Sequence, residues 1–126
     1  MKIIQAKEAP QAKGPYSHAV SSGDLLFLSG QIALDPVSDT LVTGDIAAQT
    51  RQIFKNIEAV LKEQGATLQS IVKTTVFLKD MTDFKAFNAA YEACLGSHKP
   101  ARSTVEVSRL PLDARIEIEC IAEQKL

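Results

Sequence analysis

The centre of this chain reads Ile71-Val72-Lys73-Thr74-Thr75-Val76-Phe77-Leu78-Lys79, an alternation of apolar and polar residues. That period predicts a β-strand with one buried face and one open face. We expect the buried face to carry Val72, Thr74, Val76 and Leu78. Helical patterns flank the strand, because apolar residues recur at helical spacing over residues 45–64 and again over residues 82–95. A strand between two helices predicts crossover connections within a sheet.

Further strand patterns lie outside this helix–strand–helix unit. Residues 19–30 resemble a hairpin, and residues 102–107 and 114–123 resemble two more strands. The order ββαβαββ predicts a single α+β domain over residues 1–126, with a mixed sheet and both helices packed on one face. Within the hairpin, the unbroken apolar run at residues 25–28 is expected to be covered on both faces.

Composition and charge exclude several classes of protein. The chain has 126 residues, 45% of them hydrophobic, and a net charge of −1. It therefore lacks the positive field that non-specific binding to nucleic acid or membranes requires. Residues 1–8 show no signal-peptide core and no apolar run is as long as a membrane span, so a cytoplasmic location is expected. No metal site is predicted, because the cysteines and histidines match no ligand spacing: Cys94, Cys120, His18 and His98. Both cysteine thiols are expected to be reduced.

The open face of the predicted sheet indicates an oligomer. Thr75, Phe77 and Ile121 are expected there among charged residues. A half-apolar sheet face is more often an interface than a solvated surface, so we expect a homo-oligomer. The alternative is a monomer whose lysine side chains cover that face.

The segment Pro100-Ala101-Arg102-Ser103 contains the first candidate functional residue. Arg102 follows a rigid proline at a strand entrance, and its planar guanidinium matches a carboxylate. Tyr16, Gly30 and Glu119 add a phenolic hydroxyl, an open backbone N–H and a carboxylate, which together suit acyl or imine chemistry. Each also has a structural interpretation. Tyr16 can be a core aromatic, Gly30 can permit a bend, Glu119 can be solvated, and Arg102 can pair with a nearby carboxylate: Glu106, Glu117 or Glu119.

Six motifs in order make the pattern more specific than any one residue. The chain resembles the RidA/YjgF family of enamine/imine deaminases over nearly its whole length, from Gly14 to about Ala122. The motifs that carry this resemblance are Gly14-Pro15-Tyr16-Ser17, Ser29-Gly30-Gln31, Val72-Lys73-Thr74-Thr75-Val76-Phe77-Leu78, Asn88-x-x-Tyr91, Pro100-Ala101-Arg102-Ser103-x-Val105-Glu106-Val107 and Ile116-Glu117-Ile118-Glu119.

The resemblance implies a chorismate-mutase-like fold and a homotrimer whose sheets form a central barrel, with clefts at the subunit interfaces. It implies hydrolysis of 2-imino acids and their enamine tautomers to 2-oxo acids and ammonia, without a cofactor or metal. In that chemistry Arg102 would hold the substrate carboxylate, and Glu119 would orient water and shuttle a proton. The Gly30 N–H would add a hydrogen bond, and Tyr16 and Asn88 would line the cleft. Tyr16 and Arg102 would then come from different subunits.

This chain departs from the family pattern at three places. Thr104 stands where many members have cysteine, directly after Arg102-Ser103, so the resemblance implies a substrate-binding position at which threonine alters substrate preference. His18 replaces a common glutamine, and residues 95–99 form a shorter loop than is typical. The sequence leaves two other functions open: a non-catalytic 2-oxo acid binder or sensor, and an endoribonuclease or translation inhibitor. A chorismate mutase would share only the fold.

Overall fold

The computed structural model describes residues 1–124 of the chain. Within them, six strands form one mixed sheet in the order β1-β2-β3-β6-β4-β5. The strands are β1 Lys2–Ile4, β2 Ala19–Ser22, β3 Leu25–Gln31, β4 Ile71–Leu78, β5 Ala101–Glu106 and β6 Ile116–Glu123. The helices are α1 Ile46–Lys62 and α2 Phe84–Leu95. Short 3₁₀ turns lie at Leu68–Ser70 and Met81–Asp83, and Pro111–Asp113 forms a turn in which Leu112 has non-helical backbone angles.

The sheet combines antiparallel pairs with one parallel pair. Strands β4 and β5 are parallel, whereas β6 is antiparallel to both of its neighbours, β3 and β4. The helices therefore connect parallel strands, α1 from β3 to β4 and α2 from β4 to β5. The predicted ββαβαββ order and mixed sheet are confirmed. The prediction missed β1, which pairs with β2, because only Ile4 of its three residues is buried and no alternation marks it.

Two expectations about burial were wrong. Val72 was expected on the buried face, but a register shift between Ile71 and Lys73 puts Ile71 there and leaves Val72 38% exposed. The run at residues 25–28 was expected to be covered on both faces. Phe27 is instead 42% exposed, because the helices cover only the face that carries Leu26 and Leu28.

Local signals set the ends of the helices. The Ala48 N–H donates to Asp45 Oδ1 over 2.9 Å, so Asp45 caps the start of α1. At the end of α2, Gly96 has φ +63° and its N–H donates to the Glu92 carbonyl over 2.8 Å. Glycine reaches this left-handed conformation without strain, and the turn directs the chain into the loop before β5.

The core lies between the helices and one face of the sheet, and Ile53, Ile57 and Phe87 are fully buried in it. On β6, the predicted apolar face is confirmed, with Ile116, Ile118, Cys120 and Ala122 all buried. The opposite sheet face keeps apolar side chains in the open, and Val105 is 45% exposed there. None of the helices in residues 1–124 has the length and apolarity needed to span a bilayer.

Candidate functional site

Arg102 lies over a group of aromatic rings on the helix side of the sheet. Arg102 pairs with the buried residue Thr74 of β4. Paired residues share a sheet face, so the Arg102 side chain points toward α2. The guanidinium carbon lies 4.9 to 5.6 Å from three ring centroids: Tyr91, Phe87 and Phe84. These distances are within the range of cation–π attraction. The rings hold the guanidinium against α2 and leave it room to bind an anion.

No carboxylate neutralises this guanidinium within residues 1–124, where the ion pairs involve other residues. Glu106 Oε1 instead accepts the Met81 N–H over 2.8 Å. Glu117 and Glu119 pair with Phe77 and Thr75, so both lie on the opposite face of the sheet from Arg102. The interpretation of Arg102 as a structural ion pair therefore has no support, and its charge is available for a ligand.

The Arg102 side chain opens into a cavity of about 440 Å³ that Asn88 and Tyr91 also line. His98 and Lys99 also line it, and the loop that contains them is anchored where His98 Nε2 donates to the Ile71 carbonyl over 2.7 Å. We call this group of residues the arginine cavity. Glu92 and Lys99 also line this cavity, and the Arg102 guanidinium against the aromatic rings is the group whose geometry suits a carboxylate.

Three hydroxyls near Arg102 differ in their hydrogen bonding. The Tyr91 and Thr74 hydroxyls lie 2.7 Å apart and satisfy each other in the core. Burial is the main cause that raises the pKa of Tyr91, so its hydroxyl stays protonated. Thr104 Oγ1 is buried and, within the described residues, has no hydrogen-bond partner. Buried hydroxyls in folded proteins are usually hydrogen-bonded, so Thr104 differs in this respect from Thr74 and Tyr91.

Tyr16, Gly30 and Glu117 meet in a second cavity, of about 360 Å³, which we call the tyrosine cavity. A Cβ at Gly30 would lie 2.6 Å from Glu117 Oε2, closer than any real contact. Glycine at position 30 is therefore what allows the Glu117 carboxylate to lie against β3.

The environment of Glu117 favours its protonated form. Burial raises the pKa of its carboxyl group, and the nearby charge of Glu119 raises it further. A carboxyl shifted in this way can hold and release a proton closer to neutral pH. It is the kind of group that protonates a leaving amine.

The loop that contains Tyr16 is fastened to β3. Ser29 Oγ donates to the Ser17 carbonyl over 2.6 Å, and the Ser29 N–H donates to the His18 carbonyl over 3.0 Å. Tyr16 itself is 49% exposed, so the alternative that it is a core aromatic is not supported. Its ring lies at the cavity mouth, where a ligand can contact it.

His18 fastens the segment that walls the tyrosine cavity on the other side. Its ring is buried; Nδ1 accepts the Ala6 N–H over 2.8 Å and Nε2 lies 2.7 Å from the Pro10 carbonyl. An amide N–H can only donate and a carbonyl can only accept, so the proton is on Nε2. Histidine at this position therefore acts as a clamp on residues 6–10.

Glu119 does not reach this cavity. It lies two residues further along β6 and lines a smaller cavity of about 200 Å³ with Lys73, Thr75 and Phe27. The structure thus places Glu117, rather than the predicted Glu119, beside Tyr16 and Gly30. Sequence reasoning missed Glu117 because both glutamates share one strand face, and only the register of β3 against β6 distinguishes them.

The arginine and tyrosine cavities are separate within one chain. Gly30 is on β3 and Arg102 is on β5, with β6 and β4 between them. Three strand spacings put β3 and β5 roughly 14 Å apart, and the cavities at the two residues lie on opposite faces of the sheet. The structure therefore brings Arg102 together with Asn88, and Tyr16 with Gly30 and Glu117, but it does not bring the two groups together.

Comparisons with known proteins agree with this architecture. Residues 6–124 match the family model described as Endoribonuclease L-PSP. A RutC family protein of Pyrococcus horikoshii is 50% identical over 121 residues, which cover 96% of this chain and 96% of that protein. The 2-iminobutanoate/2-iminopropanoate deaminase of Salmonella typhimurium is 46% identical over 127 residues, which cover 98% of each chain. The YjgF gene product of E. coli has a crystal structure that matches with a TM-score of 0.94 at 45% identity, covering 99% of this chain and 100% of that one.

The sheet order and the two crossover helices define a YjgF-like α+β domain. The chain belongs to the Endoribonuclease L-PSP family, also called YjgF/RidA. The predicted family and fold class are confirmed. No group of three His, Cys, Asp or Glu side chains converges like metal ligands among residues 1–124.

Proposed function

We propose that this protein hydrolyses reactive 2-imino acids, and their enamine tautomers, to 2-oxo acids and ammonia. The observation that carries the proposal is the half-buried Arg102 guanidinium, held over three aromatic rings and free of carboxylate partners in the described chain. Such a group suits the carboxylate that every 2-imino acid bears. The named activity of the Salmonella relative supports the same reaction class.

In the proposed reaction, the carboxylate of the substrate binds Arg102, which holds the imine carbon in place. Water adds to that carbon, the C–N bond of the resulting carbinolamine breaks, and the nitrogen leaves as ammonia while the oxygen becomes the carbonyl. We assign the proton transfers to Glu117, whose raised pKa suits both accepting a proton from water and giving one to nitrogen. Glu117 thus takes the role that the sequence suggested for Glu119.

The remaining predicted residues fit supporting roles in this proposal. Tyr16 and the Gly30 backbone lie beside Glu117, where they can contact the reacting end of the substrate. Asn88 lines the arginine cavity, and Thr104 contributes the unpartnered hydroxyl on the same strand as Arg102. No cofactor is needed, since a protonated imine carbon is already electrophilic.

A complete site requires a second copy of the chain in this proposal. The arginine cavity and the tyrosine cavity lie on different faces, so we propose that they meet between subunits of a homotrimer. The open sheet face supports association, because apolar side chains such as Phe27 and Val105 are exposed on it. A cytoplasmic location belongs to the same proposal, and cell fractionation tests it.

The activity test uses imino acids generated in situ by an amino-acid oxidase, with semicarbazide as the competing trap. The wild-type protein should lower semicarbazone formation. Arg102→Lys should lose about 100-fold in kcat/KM, because a bidentate charge-assisted pair becomes a single contact. Glu117→Gln should lose about 100-fold or more in kcat, whereas the matched control Glu119→Gln should stay within about three-fold. A larger effect from Glu119→Gln than from Glu117→Gln would reverse the assignment.

Subunit complementation tests the shared site. Arg102→Lys and Glu117→Gln proteins are each inactive in this proposal, but mixed trimers contain some sites with both intact residues. Random mixing in equal amounts should restore about a quarter of wild-type activity, because each site draws on two copies. No recovery after verified subunit exchange would show that the site is not shared.

A non-catalytic 2-oxo acid binder would use the same arginine cavity. Calorimetry with 2-oxobutanoate distinguishes the two functions. If the protein is an enzyme, the wild type should turn over imines, and Glu117→Gln should lose turnover but still bind the 2-oxo acid product. Wild-type protein that binds the 2-oxo acid without hastening imine hydrolysis would instead be a binder.

A further inference from the structure

Leu112 adopts a backbone conformation that a leucine rarely takes. It has φ 56° and ψ 23°, and the next residue, Asp113, also has φ 56°. For residues with a Cβ this left-handed region is disfavoured by steric contacts. The turn is held by several bonds: the Asp113 N–H donates to the Leu110 carbonyl over 3.2 Å, and the Asp113 carboxylate pairs with Lys79 Nζ at 2.8 Å. Strain of this kind persists where the surroundings impose it, and it is concentrated at functional sites.

The strained turn places an apolar side chain at the mouth of the tyrosine cavity. Leu112 is 64% exposed, so the fold does not recover the cost of this conformation by burying it. It lines the tyrosine cavity, whose surface is mostly apolar, and four other apolar residues line it as well: Pro10, Ile32, Leu34 and Pro111. Polar side chains line the rest of the same cavity: Gln11, Lys13, Tyr16, His18, Gln31 and Glu117. A ligand that spans the cavity therefore needs a polar head and an apolar tail.

The charges of the cavity disfavour an acidic tail. Glu117 has to give up its proton during the proposed reaction, and a second carboxylate on the substrate would repel the resulting negative charge at close range. Lys13 also lines the cavity, but its ammonium group already pairs with Asp39. A dicarboxylic substrate would thus meet a like charge at Glu117, while Lys13 is already paired with Asp39.

We propose that Leu112 is the specificity-determining residue of this site, and that the tyrosine cavity selects 2-imino acids with longer apolar side chains. This inference rests on the proposed imine hydrolysis and names its substrate class. Each additional methylene of the substrate that becomes buried against the apolar wall is worth about a four-fold preference. The imine derived from leucine is therefore a better substrate than the imine derived from alanine, and the imine derived from glutamate is a poor one.

The experiment compares kcat/KM for imines generated from alanine, leucine and glutamate in wild-type protein and in Leu112→Asn. Asparagine tolerates the left-handed conformation but removes the apolar contact. We expect the leucine-to-alanine ratio to fall about ten-fold in Leu112→Asn. The matched control is Val37→Lys, which changes an exposed apolar residue outside every cavity described above and should leave the ratio unchanged. An unchanged ratio in Leu112→Asn, or a wild-type preference for the alanine or glutamate imine, overturns the inference.

Two further measurements separate this inference from its alternatives. Light scattering shows whether Leu112 contacts another copy: a changed oligomeric state with an unchanged ratio would assign the residue to an interface and overturn the proposal. Calorimetry with pyruvate and 4-methyl-2-oxopentanoate addresses the case in which no imine is hydrolysed. Tighter binding of the longer 2-oxo acid, lost in Leu112→Asn, would uphold the selectivity and refute only the catalysis. Equal or absent binding of both would overturn the selectivity as well.

Discussion

Gly30→Ala is the most informative single substitution in the tyrosine cavity. The added Cβ would lie 2.6 Å from Glu117 Oε2 and 2.9 Å from its Cδ, whereas ordinary contacts begin at 3.4 Å. The carboxylate must therefore retreat by about 0.8 Å. A displacement near 1 Å at a reacting group can lower the rate by about 100-fold, so we expect kcat to fall by that order.

The same substitution should leave the fold nearly intact. Gly30 does not have a positive φ, so alanine is compatible with the backbone. The clashing atoms are at the far end of the flexible Glu117 side chain, which can move aside. Alanine also lowers the entropy of the unfolded chain, so the melting temperature should stay within about 3 °C of the wild-type value. Semicarbazide competition measures the rate, and circular dichroism measures the unfolding.

A double-mutant cycle isolates the cause. If Gly30→Ala acts by moving Glu117, it should have little further effect in a Glu117→Gln background, because the two changes act on one group. Additive effects would show that Gly30 acts by another route, such as its backbone N–H. A Gly30→Ala protein with the wild-type rate would refute the role assigned to Glu117.

Three further predictions follow from burial. Thr104→Val should raise stability by about 1 kcal/mol, or about 4 °C in melting temperature, because it removes an unpaired buried hydroxyl; an equal loss would show that the hydroxyl is bonded in the assembled protein. Because the folded state raises the pKa of Glu117 above its ordinary 4.5, its contribution to stability is present at low pH and is lost as pH rises through the raised value. Glu117→Gln should therefore be more stabilising at about pH 7 than at about pH 4 in urea unfolding, and a gain independent of pH would contradict this. Burial raises the pKa of Cys120 to about 12, so a thiol reagent should modify it only after unfolding and reach the half-buried Cys94 first. Equal rates at both cysteines in the native protein would be inconsistent with that burial.

Much of the fold could be predicted because the signals were local. Helical spacing identified α1 and α2, and alternation identified β6. The errors came from contacts between distant segments. A register shift between β4 and β6 puts Ile71 instead of Val72 on the buried face, and no feature of residues 71–79 alone reveals this shift. Strand β1 was missed because its existence depends on pairing with β2.

The candidate site illustrates the same limit. Alternation places Glu117 and Glu119 on one face of β6, and it cannot say which of them Gly30 will face. That choice depends on the irregular register between Leu28 and Gln31, which brings the Glu117 carboxylate against Gly30. The kind of group that we propose for catalysis was thus predictable from the sequence, but its position was not.

The separation of Arg102 from Glu117 is itself an argument for assembly. A guanidinium without an anion and a carboxyl with a raised pKa would stabilise each other if they were neighbours, since an opposite charge lowers a carboxyl pKa. Within one chain the sheet keeps them on opposite faces, so each retains the state that the proposed reaction requires: Arg102 unpaired and Glu117 able to hold a proton. If a second copy brings them to one cleft, the substrate carboxylate has to lie between them. It then neutralises Arg102, so that the guanidinium does not lower the pKa of Glu117. Substrate binding should then leave the pKa of Glu117 high, and the acid limb of kcat should lie at higher pH than the pKa of a free glutamate.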